Sequence, residues 1–291
     1  MPEIGNKIAK VNVDLVDETF SVSQSGDCHL SIQTEPGRLS FCILNTVINK
    51  YVVLRDYALC SADSCDLPGE CNSVFENDDL LGLKYKSSAH LWVSPRCTLV
   101  PEHLFETGEK DSYLTFNHGS TAGELILQNH IRAAGAYSIF SCPEALMNLL
   151  RLHQPNIAFY HQSAPFIRSV FGMPSPDRKG MAVYFYPDCL DIAVVENKKL
   201  LFYNTFHITA PEDSVYYLAG VSNLFGINIS SVRLLYAGNT GHIPPEAAIL
   251  RNYVERIVEC EPASAVVYSH YITEPFRKDF IHLINLYGCE S

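Results

Sequence analysis

Two aspartates beside a predicted turn are the residues of this sequence whose chemistry is easiest to name. Asp188 and Asp191 lie three positions apart, close to the start of a predicted strand. Carboxylate oxygens are the ligands that Mg²⁺ and Ca²⁺ prefer, so the pair could supply part of a metal site. The same spacing is typical of solvated turn residues, and the sequence favours that plainer interpretation.

Three cysteines, Cys60, Cys65 and Cys71, lie in a stretch rich in Ser, Asp and Gly at residues 60–72. With Cys97 or a histidine as fourth ligand, they could bind zinc or an iron–sulfur cluster. Their spacings of five and six residues differ from the tight pairs that chelation usually requires. We interpret them as loop thiols and keep a metal or redox centre as an alternative.

The sequence motifs of familiar enzymes do not occur in the chain. Its 11 histidines form no H-E-x-x-H pair, and there is neither a G-x-S-x-G elbow nor a G-x-x-x-x-G-K phosphate loop. The sequence therefore selects no catalytic residue and no metal ligand.

Charge and composition indicate an acidic globular protein. The formal net charge is −11, with 47% hydrophobic and 18% charged residues, and these fractions are ordinary for folded domains. Binding to nucleic acid or to anionic membranes needs clustered Lys and Arg, so we expect neither. No apolar run reaches the roughly 18 residues of a membrane span, and residues 1–20 lack a signal-peptide pattern. We expect a cytoplasmic protein with reduced, buried thiols such as Cys42 and Cys142.

The elements that must position these residues occur twice. Residues 181–206 have the pattern of three strands joined by two short turns, and residues 30–57 repeat it. The residues that align at the turns are Pro36 with Pro187 and Asn49 with Asn197. The sequence thus predicts an internal duplication spaced by half the chain.

Each copy is followed by the same predicted order of helix, strand, helix, strand and helix. In the first half these elements are predicted at 73–81, 90–93, 141–153, 156–160 and 165–171, with one further helix at 98–105 and a lead-in strand at 10–15. In the second half they are predicted at 209–225, 232–236, 245–258, 265–268 and 275–287. Capping boxes are predicted at 141–144 and 209–212.

Residues 112–140 interrupt this order in the first half. Short strands are predicted at 113–116, 124–127 and 136–140, and we interpret the stretch as a strand-rich insertion. The run at 174–180 combines Pro, Gly and charge without periodicity, which is typical of a boundary. The sequence therefore predicts two domains, residues 1–176 and 177–291.

This order of elements, present twice, resembles the actin-like ATPase superfamily, and most closely an uncharacterised bacterial family of actin-fold proteins. The resemblance implies an α/β class with mixed sheets, two tandem ribonuclease-H-like domains, and a nucleotide between them. It also implies an Asp-x-Gly motif at the first turn of each half, where the carboxylate positions Mg²⁺ and glycine admits phosphate. In this sequence the aspartate positions hold Gln33 and Tyr184, and the glycine positions hold Glu35 and Tyr186.

The resemblance also assigns the residues that would line a nucleotide cleft, which are Gly37, Asp188, Asp191, Gly238 and Asn239. Gly238 belongs to half of the family's adenosine motif, with Ala237 in place of its first glycine. A strand followed by a Gly-Asn turn is the plainer interpretation. Both hairpin turns carry a proline, which removes an N–H donor that a phosphate would use.

These replacements predict a degenerate site. We expect a binding or assembly protein that does not hydrolyse ATP and requires no cofactor. It would act on a protein partner, or on a second copy of itself, through the insertion. The alternative is an ATP- and Mg²⁺-dependent phosphotransferase or ATPase whose rearranged site uses Asp188, Asp191 and Gly238.

Overall fold

The computed structural model describes residues 9–59, 66–120, 122–172, 179–186, 188–228, 233–238, 250–254, 256–259 and 266–290. The predicted domain boundary at 176 and 177, Cys60, Cys65 and Asn239 lie outside these segments. The described residues form the predicted mixed α/β structure, in which the strands are arranged in three sheets.

The first sheet has an antiparallel meander that continues into parallel strands. Its strands are β1 (Lys10–Val16), β2 (Cys28–Glu35), β3 (Arg38–Asn45), β4 (Lys50–Ala58), β5 (Ser87–Trp92), β9 (Ala158–His161) and β15 (Val267–Tyr268). Their order is β1-β4-β3-β2-β5-β9, and β15 adds to β4 in parallel. The predicted strand at 10–15 is confirmed as β1, which covers the outer edge of β4.

The second sheet repeats the first without its additions. Its strands are β10 (Gly180–Phe185), β11 (Cys189–Glu196), β12 (Lys199–His207), β13 (Arg233–Gly238) and β14 (Arg256–Glu259). The order β12-β11-β10-β13-β14 matches β4-β3-β2-β5-β9. Asn49 and Asn197, aligned by sequence, both adopt a positive φ, of 51° and 50°, a conformation that asparagine tolerates better than most residues. The predicted duplication is confirmed in strand order and in turn conformation.

The insertion is larger than predicted and differs in its first part. β6 (Cys97–Pro101), β7 (Glu124–Ile131) and β8 (Ala136–Pro143) form a separate antiparallel sheet in the order β6-β8-β7. The helix predicted at 98–105 is wrong, because β6 occupies its first part, and Pro101 is tolerated on this edge strand. The strand predicted at 113–116 is also wrong, because α2 (Lys110–His118) packs there with Leu114 fully buried.

The remaining helices cover the sheets and cross between them. They are α1 (Leu67–Asn77), α3 (Glu144–His153), α4 (Ser163–Gly172), α5 (Pro211–Leu224), α6 (Glu274–Asp279) and α7 (Ile281–Asn285). The capping box predicted at Ser141 is wrong, because that serine lies in β8 and α3 begins at Glu144 without a side-chain cap. At α5 the capping carboxylate is Asp213 instead of Glu212, and it accepts from the Ala210 N–H at 3.0 Å.

The last quarter of the chain departs most from the prediction. Within the helix predicted at 245–258, residues 256–259 form β14, the fifth strand of the second sheet. The strand predicted at 265–268 is present as β15 but belongs to the first sheet. The helix predicted at 275–287 is divided at Phe280 into α6 and α7. The first two errors share one cause, since both depend on long-range strand pairing, which local pattern does not encode.

The α6–α7 segment packs against both sheets. Phe280, Leu283 and Ile284 contact a buried cluster of the first sheet that includes Leu44 and Leu54. Ile281, on the opposite side, packs in the cluster that contains Ala182 and Tyr184 of β10. This segment therefore lies at the junction of the two halves, beside the turns where the family resemblance places a nucleotide. No helix in the described part of the chain has the length and apolarity to cross a membrane.

Candidate functional site

The two hairpin turns lie close together across the junction of the sheets. In the first turn Gly37, with φ of +78°, lets Glu35 pair directly with Arg38. In the second, the Tyr186 N–H donates to the Cys189 carbonyl at 2.8 Å, and Asp188 is partly exposed beside it. Burial is the main cause that raises the pKa of Glu35, and the nearby charge of Asp188 raises it further. The two turns therefore approach each other, and we call the region between them, with a carboxyl group on each side, the cleft.

Arg38, a cation at the first turn, is already paired with carboxylates of the chain. Its Nε donates to Asp56 Oδ1 at 2.6 Å, and its Nη1 lies 3.4 Å from Glu35 Oε1. Asp56 is held in turn by Ser40 Oγ at 2.5 Å and by Asn12 Nδ2 at 3.0 Å. A phosphate entering the cleft would have to displace these carboxylates, and it would also meet the charge of Asp188.

Glu35 is the most perturbed group of this cluster. Burial is the main cause that raises its pKa to about 7, against the lowering effect of Arg38. Its Oε2 atom has no hydrogen-bond partner among the described residues. Glu35 lies where the family motif has glycine, which lets backbone N–H groups come close to a phosphate. In this chain a buried carboxyl takes that place.

Aromatic rings occupy the second turn. Tyr184, at the family's aspartate position, stacks on His282 of α7 with ring centroids 3.6 Å apart and planes at 19°. Tyr186, at the glycine position, has its hydroxyl 2.7 Å from His282 Nδ1. Burial lowers the pKa of His282 to about 3, so the imidazole is neutral near pH 7. The space that glycine would leave open for phosphate is filled by two phenol rings and an imidazole.

Phe280 contacts Arg38 from the α6–α7 side. The guanidinium of Arg38 lies 4.8 Å from the centre of the Phe280 ring, a distance at which cation–π attraction operates. Arg38 therefore has two carboxylates and an aromatic face as partners, and all of them come from this chain.

The structure does not bring the two predicted aspartates together. Asp188 lies in the turn, whereas Asp191 is fully buried in β11 and accepts from Gln162 Nε2 at 3.0 Å and Thr205 Oγ1 at 2.6 Å. Burial raises the pKa of Asp191 to about 7. Gln162 comes from the first half, so Asp191 joins the halves. Among the described residues, no group of three or more His, Cys, Asp or Glu side chains is placed to hold a metal ion.

The other candidate residues lie in a strand or in the buried interior. Gly238 ends β13 and pairs with Phe185 in parallel register. Cys71 lies on α1 within the main core cluster. Cys97 Sγ lies 3.1 Å from Ser138 Oγ in the buried space beneath the insertion. Cys42 and Cys142 are buried, as predicted, and of the described cysteines only Cys289 is partly exposed.

Three residues that complete the site, Arg38, Asp56 and His282, were not selected by sequence reasoning. Asp56 closely follows a run of apolar residues in β4, and a carboxylate at this point of a strand was the available signal. Arg38 follows directly after the turn, but nothing local indicates its partner in β4. His282 lies 96 positions from Tyr186, so no spacing rule could connect them.

The sequence profile of the family described as "Protein of unknown function (DUF3822)" matches residues 17–257. A structure from Bacteroides thetaiotaomicron, described as a protein with actin-like ATPase fold and unknown function, is similar, with a TM-score of 0.77, 24% identity, and coverage of 83% of this chain and 93% of that one. Among proteins with curated descriptions, none matches this sequence significantly.

A chain of the PilM–PilN type IV pilus biogenesis complex is also similar. Its TM-score is 0.59 with 10% identity, over 90% of this chain and 99% of that one. At these identities the likeness concerns the fold alone. The fold is the actin-like ATPase fold, as the order of elements indicates.

Proposed function

The chain belongs to the DUF3822 family, and from its actin-like ATPase fold and the occupied cleft we propose that it is a binding or assembly protein that does not hydrolyse ATP. The observation that carries the proposal is the Arg38 cluster, in which the chain supplies its own anions to a cation at the first hairpin turn. A functional phosphate site keeps such a cation, or backbone N–H groups, available for the ligand.

Two further observations support this proposal. The ring stack of Tyr184, Tyr186 and His282 takes up space at the second turn. Asp188 places negative charge near Glu35, where a nucleotide would bring its own. A carboxylate repels a phosphate unless a metal ion lies between them, so both charge and volume oppose nucleotide binding.

Mg²⁺-ATP is expected to leave the thermal midpoint unchanged. A ligand at about 100 times its dissociation constant stabilises the folded state by about 2.7 kcal/mol, which for a protein of this size corresponds to a rise of several degrees. We therefore expect no shift with ATP, ADP or AMP at about 5 mM, a concentration that would reveal dissociation constants near 50 μM. Thermal unfolding and a phosphate-release assay measure the two properties, with an actin-fold ATPase as positive control.

A midpoint that rises with ATP and returns to its basal value in Asp188→Ala would contradict the proposal. That result would support the alternative, an ATP-dependent phosphotransferase or ATPase with a rearranged site. Asp188 is suited to this test because it is partly exposed and its replacement leaves the buried core intact.

The insertion, residues 97–143, offers the surface through which a protein partner or second copy would bind. Phe116 on α2 is 89% exposed and Leu104 is 59% exposed. The Tyr113 hydroxyl donates to the Leu104 carbonyl at 2.8 Å, which brings that loop to α2 one turn before Phe116. An actin-fold chain also occurs in the PilM–PilN complex, a precedent for this fold within a protein assembly.

Replacing Phe116 with serine is expected to abolish this association without changing stability. Because the ring is almost wholly exposed, its removal costs no core packing, and the thermal midpoint should stay within about 1 °C. The measurements are sedimentation velocity of the purified protein and recovery of bound proteins on immobilised protein. Leu224→Ser is the matched control, since Leu224 is 72% exposed on α5 of the other half. Equal behaviour of the two variants would remove the insertion as the binding surface.

A further inference from the structure

A separate cavity of about 200 Å³ opens where three segments meet. The 132–134 turn after β7, helix α4 and residues just beyond α7 each contribute to its wall. Ile131 and Ala164 are buried at 5% and 6% exposure and form part of an apolar floor together with Tyr160. Arg132 and Arg168 are exposed residues of its lining. We call this cavity the arginine pocket.

The charge of the arginine pocket is opposite to that of the whole chain. The protein has a formal net charge of −11, yet none of the described residues that line the cavity is an aspartate or a glutamate. Among the described residues, none forms an ion pair with Arg132. The nearby His130 faces Glu102, with Nε2 3.5 Å from its carboxylate. The lining therefore favours an anion.

Hydrogen bonds from β9 to β7 and to Cys289 fix the walls of the pocket. Asn129 accepts the His161 N–H at 2.9 Å and donates to the Phe159 carbonyl at 2.9 Å, so β7 is held to β9. The Tyr160 hydroxyl donates to the Cys289 carbonyl at 3.3 Å. A side chain on Gly288 would come within 3.2 Å of the Arg168 guanidinium, which lies against this glycine. Such a pocket is formed before its ligand arrives, which lowers the entropic cost of binding.

The size and chemistry of the arginine pocket define a class of ligand. Its volume is below the ~300–1,000 Å³ of sites that enclose a whole cofactor, so a nucleotide does not fit. Arginine binds carboxylates through paired N–H donors, and the apolar floor accepts a short hydrocarbon stem. The geometry points to a carboxylate on a small apolar group, either a free organic acid or the carboxyl end of a peptide. This inference does not depend on the proposed function of the cleft.

Titration with sodium benzoate tests the inference, with benzamide as the uncharged compound of the same shape. Binding is followed by methyl NMR of the full chain, using Ile131 and Ala164 as reporters and Ile192 of the second sheet as a distant control. We expect benzoate to shift the two reporter methyls and benzamide to leave them unchanged. Arg132→Gln should weaken benzoate binding about tenfold or more, because a charge-assisted hydrogen bond is lost.

The matched control is Arg251→Gln, since Arg251 is an exposed arginine of the other half and its replacement should leave benzoate binding unchanged. A tripeptide that ends in phenylalanine, as free acid and as amide, distinguishes the two sources of the carboxylate. If the tripeptide free acid binds, the ligand is the carboxyl end of a peptide. If benzoate binds and the tripeptide free acid does not, the ligand is a small organic acid. Equal shifts with benzoate and benzamide, no shift with either, or an unchanged affinity in Arg132→Gln would overturn the inference.

Discussion

Asp56→Ala is expected to lower the free energy of unfolding by about 3 kcal/mol, because it leaves a partly buried guanidinium without its nearest carboxylate. The side chain of Asp56 is 4% exposed and that of Arg38 is 23% exposed. Ser40 and Asn12 would also lose their acceptor. Urea unfolding measures the loss, and Asp56→Asn, which retains one oxygen acceptor, should lose less.

The control for this prediction is Asp14→Ala. Asp14 also bonds an arginine, Arg55, at 2.6 Å, but its side chain is 53% exposed and Arg55 keeps Asp78 as a second partner. Exposed pairs contribute about 0–1 kcal/mol, so the expected loss is small. Similar losses in the two variants would show that the Arg38 cluster has no special role. A second readout is inorganic pyrophosphate, which should raise the midpoint of Asp56→Ala more than that of the parent if the pairing excludes phosphate.

Acidification from pH 7 to pH 5 is expected to lower the free energy of unfolding by about 3 kcal/mol. Burial is the main cause that lowers the pKa values of four histidines. The pKa is about 4 for His29 and His161 and about 3 for His90 and His282. In the unfolded state these histidines have pKa values near 6.5, so the unfolded state binds protons that the folded state does not. Their contribution is present above pH 6.5 and is lost as the pH falls.

Two carboxyls act in the opposite direction. Burial raises the pKa of both Glu35 and Asp191 to about 7, so the folded state binds protons between about pH 4 and 7 that the unfolded state releases. The contribution of these two carboxyls to the free energy of unfolding is present at low pH and is lost as the pH rises through 7. Since each proton is worth about 1.4 kcal/mol per pH unit, four histidines outweigh two carboxyls, and stability falls on acidification.

Urea unfolding at pH 5, 6 and 7 measures this balance. Asp191→Asn removes one of the two opposing carboxyls, so the loss between pH 7 and pH 5 should grow to about 5 kcal/mol in that variant. The amide retains the size of the side chain, and Asp191 already accepts from Gln162 and Thr205 through one oxygen. A profile that is flat, or one that rises toward pH 5, would show that the buried histidines do not stay neutral in the folded protein.

The sequence predicts the repeated part of the fold well, because alternating apolar residues and turn asparagines are local signals. Asn49 and Asn197 mark equivalent turns, and Leu39 and Leu190 lie buried at equivalent positions of β3 and β11. The strand predicted at 113–116 was wrong because Leu114 is buried against β6 and β8. This burial favours the helix and is a tertiary effect.

The position of the candidate site could be predicted from the sequence, but the side chains that fill it could not. The loss of both aspartates, at Gln33 and Tyr184, indicates an altered cleft from sequence alone. What fills the cleft depends on Arg38 reaching Asp56 on a neighbouring strand and on His282 arriving from α7. Contacts of this kind follow from sheet register and helix placement, and both are fixed only when the chain has folded.

The addition of β15 to β4 has a consequence for the order of events on the ribosome. The first sheet uses Val267 and Tyr268 as a strand, and its face at Cys42, Leu44 and Leu54 is covered by Phe280, Leu283 and Ile284. At about 5–20 residues per second, translation of the stretch between β4 and β15 takes about 10–40 s. During that interval the first sheet lacks the residues that cover this apolar face, so the half that is synthesised first cannot complete its packing until almost the whole chain has been made.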